Sequence, residues 1–124
     1  MLVPPALLVG EGVRRGRRPA ATREVVEHVI DGDTLILAGG ERLRLVDVDA
    51  PELHEGKPGH AGPFPEPGAV EAADALRRLV EGRAALVTRT GRDPYGRTLG
   101  RLRLEDGTDV CAELLRLGLV KKID

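Results

Sequence analysis

Four carboxylates stand at the ends of two apolar segments of this 124-residue chain. Asp31 and Asp33 flank a glycine directly after a β-branched run, and Asp49 and Glu52 close a second run. A folded domain seldom brings such carboxylates together unless a positive charge neutralises them. Oxygen ligands of this kind suit a hard divalent cation. We therefore predict that the two segments build a cation site.

Two arginines accompany the carboxylates. Arg44 lies in the second apolar segment, and Arg97 ends residues 93–97, which also contain Tyr95. A planar guanidinium donates two parallel hydrogen bonds to a phosphate, and it stabilises the charge that builds on the equatorial oxygens during attack at phosphorus. A cation beside two such groups is suited to a phosphodiester.

The composition limits how a polyanion could be held. The net charge is -1 although 31% of the residues are charged, so we expect a local site to bind a polyanion rather than the whole surface. Phe64 and Tyr95 are the only aromatic residues, and they offer few platforms for base stacking. Phosphate contacts should therefore dominate, with weak sequence selectivity.

The cysteine content and the apolar segments indicate no disulfide, no clear signal peptide and no membrane span. Cys111, the single cysteine, excludes an intramolecular disulfide, and we expect it to be a small core residue. Residues 1–9 are apolar but contain two prolines and lack a basic segment, so they do not form a clear signal peptide. No segment approaches the length of a membrane-spanning helix.

The spacing of apolar residues predicts five strands and two helices. We expect the strands at residues 23–30, 34–37, 43–48, 84–90 and 98–104. The first helix follows a loop rich in Gly and Pro at residues 53–68 and ends at Gly82. The second is capped by Thr108 or Asp109 and ends at Gly118. Its expected buried stripe is Val110, Leu114 and Leu117.

This order of elements predicts an α+β domain that is mainly β. Five short strands, with a helix between the third and fourth and a C-terminal helix, suit a small closed barrel of the OB type. We assign residues 22–124 to this domain. Residues 1–21, rich in Gly, Pro and Arg, are predicted to be a flexible arm, either a solvated tail or a tether for phosphates.

The third strand carries a geometric requirement. Arg44 and Asp49 are five residues apart, so in a regular strand they point to opposite faces. The chain must bend or bulge between them if both serve one site.

The sequence resembles the staphylococcal nuclease (thermonuclease) family over residues 25–121. Three segments carry the resemblance, in the family's order: Asp31-Gly32-Asp33-Thr34, then Arg44 through Glu52 with its Asp-Ala-Pro-Glu ending, then residues 93–97. An Asp-Gly-Asp segment alone is found in many loops, whereas the coincidence of all three is specific.

The resemblance implies a calcium-dependent phosphodiesterase, an endonuclease that hydrolyses DNA and RNA and leaves 3′-phosphate ends. By position in the motifs, Asp33 and Asp49 match the carboxylates that hold the calcium ion. Ala50 matches the third protein ligand, which is a backbone carbonyl, and Asp31 matches an outer carboxylate near the ion.

The same resemblance assigns the groups around the phosphate. Arg44 and Arg97 match the pair that clamps the phosphate, and Glu52 matches the residue that acts as general base or orients the attacking water. Tyr95 matches a tyrosine that contacts the nucleotide. Pro94 and Asp124 stand near positions where the family has a lysine and a second tyrosine, so we expect altered nucleotide affinity with an intact metal site.

Other interpretations stay open. A catalytically silent barrel of the same type could bind nucleic acid or protein, although such a module has no need to keep Arg44, Glu52 and Arg97 together. An OB domain for oligosaccharide is disfavoured because aromatic platforms are scarce. The three histidines share no metal-ligand spacing and are expected on the surface or in loops: His28, His54 and His60.

The resemblance also implies partners and a location. We expect a monomer that contacts DNA and RNA through phosphates and that does not associate with a membrane. A weak two-carboxylate calcium site would not be loaded in resting cytosol, which favours a secreted or cell-envelope protein.

Overall fold

The computed structural model describes residues 20–54 and 59–123. Residues 1–19 of the predicted arm lie outside this part, as does Asp124. The elements, in order, are β1 (Thr22–Asp31), β2 (Thr34–Leu37), β3 (Arg42–Leu45), β4 (Val48–Asp49), α1 (Ala69–Val80), β5 (Ala84–Arg92), β6 (Thr98–Leu104), α2 (Val110–Arg116) and β7 (Lys121–Lys122).

Five of the strands close into a barrel in the order β1-β2-β3-β6-β5. Neighbouring strands are antiparallel except β3 and β6, which run parallel with Arg44 opposite Leu99. The helix α1 follows the third barrel strand and packs against β1, and α2 packs against β6. The predicted α+β class and the OB-type barrel are confirmed.

The barrel interior is filled by aliphatic side chains that alternate along each strand. In β6, for example, Leu102 and Leu104 are buried while Arg101 and Arg103 face solvent. A run of buried alanines on α1 lets that helix lie close to the barrel. Cys111 is buried at the start of α2, as expected. No helix within residues 20–54 and 59–123 is long and apolar enough to cross a bilayer.

The final helix differs from the prediction at its end. Asp109 is the cap, since its Oδ1 accepts a hydrogen bond from the Ala112 N–H at 3.0 Å. Leu117, predicted in the buried stripe, is 45% exposed. That prediction was wrong because the helix ends at Arg116 and the chain turns away at Gly118, whose φ is 74°.

The predicted third strand, residues 43–48, is broken into two. β3 ends at Leu45, and Asp47 takes a left-handed conformation with φ 73°. The following strand, β4, leaves the barrel and pairs with β7 in a two-stranded ribbon that the sequence pattern did not predict. This is the bend that the spacing of Arg44 and Asp49 requires.

Candidate functional site

The turn between β1 and β2 places two carboxylates side by side in the interior. Asp31 is buried and Asp33 is 0% exposed, and Asp31 Oδ1 accepts the Asp33 N–H at 3.1 Å. Between them, Gly32 is required by packing, because a Cβ there would lie 2.7 Å from the Ala72 Cβ and 2.8 Å from the Ala50 Cβ. The glycine therefore lets this turn contact both α1 and the end of β4.

Asp33 connects the first and second sequence motifs. Its Oδ1 accepts the Thr34 hydroxyl at 3.0 Å, and its Oδ2 accepts the Ala50 N–H at 2.8 Å. Arg44 Nη2 lies 3.4 Å from the same Oδ2. The structure thus brings these predicted site residues, which are up to 17 positions apart, to one point.

Arg44 occupies the space between two carboxylates. Its side chain is 11% exposed, and Nη2 is also 3.3 Å from Asp49 Oδ1. Nη1 donates to the carbonyl oxygens of Val48, at 2.9 Å, and of Leu45. These contacts depend on the bend at Asp47, which returns the chain so that Arg44 and Asp49 face each other.

The buried carboxylates crowd one another. Burial, the neighbouring charge of Asp33 and hydrogen bonds with Asp33 and Glu52 raise the pKa of the Asp31 carboxyl to about 8. The charged form of Asp31 is disfavoured first by burial and then by the negative charge of Asp33 beside it. A proton on Asp31, or a cation beside it, favours this arrangement.

Glu52 is held by a second acid in the loop before α1. Glu52 is buried, and its N–H donates to Glu66 Oε1 at 2.8 Å, while the Glu66 N–H donates to the Glu52 carbonyl at 2.9 Å. His60 Nδ1 lies 2.6 Å from the same Glu66 Oε1, and His60 Nε2 lies 3.3 Å from Asp49 Oδ2. The hydrogen bonds from His60 and from Glu52 lower the pKa of the Glu66 carboxyl.

His60 and Glu66 are site residues that sequence reasoning missed. His60 is in a loop, as predicted, but its ring is 14% exposed and turned toward Asp49. No motif spacing marks either residue, because their positions are set by the path of a loop rich in Gly and Pro. The prediction for His28 holds, since its side chain is 61% exposed and faces Glu81.

The third motif forms the turn between β5 and β6. Asp93 Oδ1 accepts the N–H groups of Tyr95 and Arg97, each at 2.9 Å, and Arg97 Nε donates to Asp93 Oδ2 at 2.6 Å. The Arg97 guanidinium also lies 6.0 Å from the centre of the Tyr95 ring, which is 69% exposed. These contacts hold Arg97 within its own turn. Arg97 precedes Leu99, the residue of β6 opposite Arg44, by two positions, which is roughly 7 Å along the strand direction.

The oxygen donors predicted on Asp33, Asp49 and Ala50 fit a hard cation in charge and atom type. Residues 20–54 and 59–123 hold no group of three His, Cys, Asp or Glu side chains arranged to ligate one metal ion. The predicted set needs only the carboxylates of Asp33 and Asp49 with the carbonyl of Ala50, and all three are oxygen donors. Asp33 is already joined to Ala50 by a hydrogen bond, and Arg44 supplies the positive charge between the two carboxylates.

Comparison with known proteins adds to this geometry. The family profile described as "Staphylococcal nuclease homologue" matches residues 42–124, so Asp31 and Asp33 precede the matched region. The chain is 32% identical over 101 residues to Endonuclease YhcR of Bacillus subtilis, covering 76% of this chain and 8% of that protein. It is 35% identical over 96 residues to an uncharacterized endonuclease of Escherichia coli O157:H7, covering 75% of this chain.

A further relative is Probable endonuclease LCL3 of Debaryomyces hansenii, 42% identical over 81 residues, with 62% of this chain and 32% of that protein covered. The chain spans about half the length of the Escherichia coli relative, 56% of it, and less of the other two.

Proposed function

The chain belongs to the staphylococcal nuclease family, and we propose that it is a calcium-dependent phosphodiesterase that hydrolyses DNA and RNA to 3′-phosphate products. The observation that carries the proposal is the Arg44 guanidinium between Asp33 and Asp49, 3.4 and 3.3 Å from their carboxylate oxygens. Two separate segments deliver acids to one point together with a group suited to phosphate. The endonuclease names of the relatives support the reaction class.

We assign the calcium ion to oxygens of three of these residues. Asp33 and Asp49 would hold it through their carboxylates and Ala50 through its carbonyl, with Asp31 outside this set. When bound, calcium supplies Lewis acidity toward a phosphoryl oxygen and favours ionisation of a nearby water.

The arginines carry the charge stabilisation. In the proposed reaction Arg44 donates to the equatorial oxygens of the phosphate, whose charge grows during attack. Its contacts to the Val48 and Leu45 carbonyls fix the guanidinium plane, which reduces the entropy lost on binding. Arg97 is the proposed second donor, supplied from the turn between β5 and β6.

Glu52 is the proposed group that accepts a proton from the attacking water or orients that water. Its backbone is paired in both directions with Glu66, so the carboxylate stands on a fixed segment. Its burial limits competing hydrogen bonds from bulk solvent.

Cleavage of plasmid DNA and of a single-stranded RNA, in calcium, in magnesium and in chelator, tests the proposal. We expect calcium-dependent cutting that Glu52→Gln lowers by about 10²–10⁴-fold, the usual contribution of a positioned acid or base. Glu105→Gln is the matched control, since Glu105 pairs with Arg23 on the exposed surface. Thermal unfolding of each variant checks that the fold is intact.

A catalytically silent module that binds nucleic acid or protein is the second candidate. The observation that favours it is the engagement of Arg97 by Asp93 within the β5–β6 turn. A folded protein that binds calcium and a DNA oligonucleotide but leaves plasmid and RNA uncut would replace the nuclease proposal with this one.

A further inference from the structure

A cavity of about 520 Å³ opens beside Asp49. One wall is the loop before α1, with Pro51, His60 and Pro67, and the other is the end of the chain, with Leu119 and Lys121. This volume is within the range of sites that hold small organic groups, roughly 300–1,000 Å³. Among the described residues, its lining comes from these two walls and β4, not from the β5–β6 turn that carries Tyr95.

The β4–β7 ribbon places a cation at the edge of this cavity. Lys121 is directly opposite Asp49 in the antiparallel pairing, and Lys122 is opposite Val48. Directly opposed residues share a face, whereas successive residues of a strand alternate. Lys121 therefore stands on the face that carries the proposed calcium ligand, and Lys122 stands on the other face. Both lysines are exposed.

Basic side chains accompany the two acids of the cavity lining. Asp49 has Arg44 and His60 within 3.3 Å, and Glu66 shares the same His60 at 2.6 Å, so both acids of the lining are in contact with basic side chains. Lys121 adds positive charge beyond these pairs. The proline and leucine walls offer apolar surface against which a nucleoside can pack, as in most small-ligand sites.

We propose, resting on the proposed function, that this cavity is a second nucleotide subsite. It receives the nucleoside on the side of the scissile phosphate away from Tyr95, and Lys121 binds the next phosphate of that strand. An enzyme that cuts inside a chain meets substrate on both sides of the reacting phosphate. Asp49, which is both a proposed metal ligand and part of the cavity wall, joins the subsite to the reaction centre.

Binding of a fluorescent single-stranded DNA hexamer, followed by anisotropy in calcium, tests the subsite without cleavage. The Glu52→Gln background keeps the hexamer intact. We expect Lys121→Met to weaken binding roughly tenfold at 0.1 M salt and to reduce the salt slope by about 1, the effect of losing one phosphate contact. Lys122→Met is the matched control, and we expect it to change both quantities far less.

Kinetics then locate the contact. Thymidine p-nitrophenyl phosphates, with the aryl group on the 3′ or the 5′ side, each lack the nucleoside on one side of the reacting phosphate. We expect Lys121→Met to raise KM for a trinucleotide roughly tenfold with kcat within about twofold. Neither ester carries the next phosphate on the cavity side, so the effect on both esters should fall below about twofold.

Three results would overturn the subsite: equal losses from Lys121→Met and Lys122→Met, an unchanged salt slope in Lys121→Met, or the same KM increase on the trinucleotide and both esters. If the protein cuts none of these substrates but Lys121→Met alone weakens hexamer binding, the proposed nuclease function fails while nucleic-acid binding at Lys121 stands. The two proposals are therefore tested separately.

Discussion

Arg44 and the carboxylates of Asp33 and Asp49 form a charged cluster whose stability depends on each of the three side chains. Asp33 is completely buried and Arg44 nearly so. When one partner of a buried pair is removed, the other keeps its desolvation cost without its compensation. The same cluster is the proposed metal site, so its contribution to stability and its function are linked through the cation.

Arg44→Met removes the guanidinium from this cluster while keeping a side chain of similar length. In chelator we expect the free energy of unfolding to fall by about 3 kcal/mol, the lower end for a buried pair, because the Asp49 side chain is 34% exposed. In millimolar calcium the loss should shrink to less than half, because calcium no longer competes with the guanidinium for the two carboxylates. It then binds the variant more tightly than wild type and stabilises the variant more. Urea denaturation in both solutions measures this. Equal losses with and without calcium would show that the guanidinium does not compete with a cation for these carboxylates.

His60 supports a second prediction, because Asn and Gln each retain one of its two ring contacts. The Asn amide nitrogen approximates Nδ1, which faces Glu66, and the Gln amide nitrogen approximates Nε2, which faces Asp49. Groups that orient a metal ligand typically change affinity by about 10–100-fold when lost. We therefore expect His60→Asn to weaken calcium binding by roughly tenfold and His60→Gln to retain it, as measured by calorimetry.

The control for this pair is His28→Gln, which changes an exposed histidine far from Asp49 in sequence and paired with Glu81 instead. The opposite ranking, with His60→Gln the weaker binder, would mean that the contact to Glu66 matters and the contact to Asp49 does not.

At the scale of elements, the bend between β3 and β4 decides whether the site forms. Asp47 holds φ at 73°, a conformation that β-branched residues adopt only at a cost of about 1–3 kcal/mol. We expect Asp47→Val to lower the free energy of unfolding by this amount and to reduce cleavage activity, because Arg44 and Asp49 lie on either side of the bend. Chemical denaturation and plasmid cleavage measure the two effects.

Asp47→Gly provides the comparison. Glycine adopts this φ readily, and the ion pair between Asp47 and Arg101 is about half exposed on both sides, so its loss costs little. We expect this variant to remain close to wild type. If Gly and Val at position 47 were equally damaging, the ion pair rather than the backbone would be the important feature.

The elements also show how far the sequence could predict the structure. The barrel strands and α1 follow from apolar periodicity, and the need for a bend followed from the opposite parity of Arg44 and Asp49. Periodicity could not place that bend at Asp47, because a single positive φ leaves no pattern. The β4–β7 ribbon was missed since two-residue strands have no period, and Leu117 was misassigned because the helix ended one residue earlier.

The sequence predicted the site residues that lie within the three motifs and missed those that the loop before α1 contributes. Asp31, Asp33, Arg44, Asp49, Ala50 and Glu52 were named from the motifs, and the fold brings several of them into contact. His60 and Glu66 reach the site through loop geometry that no spacing encodes. The roles of all these residues remain predictions for the experiments above.

One network of ion pairs and hydrogen bonds connects several strands of the barrel. Glu41, in the β2–β3 turn, accepts hydrogen bonds from Arg89 of β5 at 2.8 and 2.9 Å and from the Thr98 hydroxyl of β6 at 2.8 Å. Arg89 also lies 3.2 Å from Glu24 of β1. The network therefore joins residues from β1, β5, β6 and the β2–β3 turn.

This network has a consequence for acid stability. The hydrogen bonds from Arg89 lower the pKa of the Glu41 carboxyl from the usual 4.5 of a glutamate to about 2. A carboxyl whose pKa is lower in the folded state stabilises the protein above its unfolded pKa, and that stabilisation disappears as the pH falls through the folded value. The contribution of Glu41 should thus be complete above about pH 5 and lost progressively between about pH 4.5 and pH 2.

We therefore expect Glu41→Gln to be less stable than wild type at pH 6, and the difference to shrink steadily toward pH 2. Urea denaturation at pH 6, 4 and 2.5 measures the free energies of unfolding. Glu113→Gln is the control, because Glu113 pairs with Arg116 within one turn of α2 and joins no strands. Its effect at pH 6 should be smaller, since a pair within one helix contributes only a few tenths of a kcal/mol. A gap between wild type and Glu41→Gln that stays constant with pH would mean that Glu41 stabilises the barrel through packing rather than through its charge.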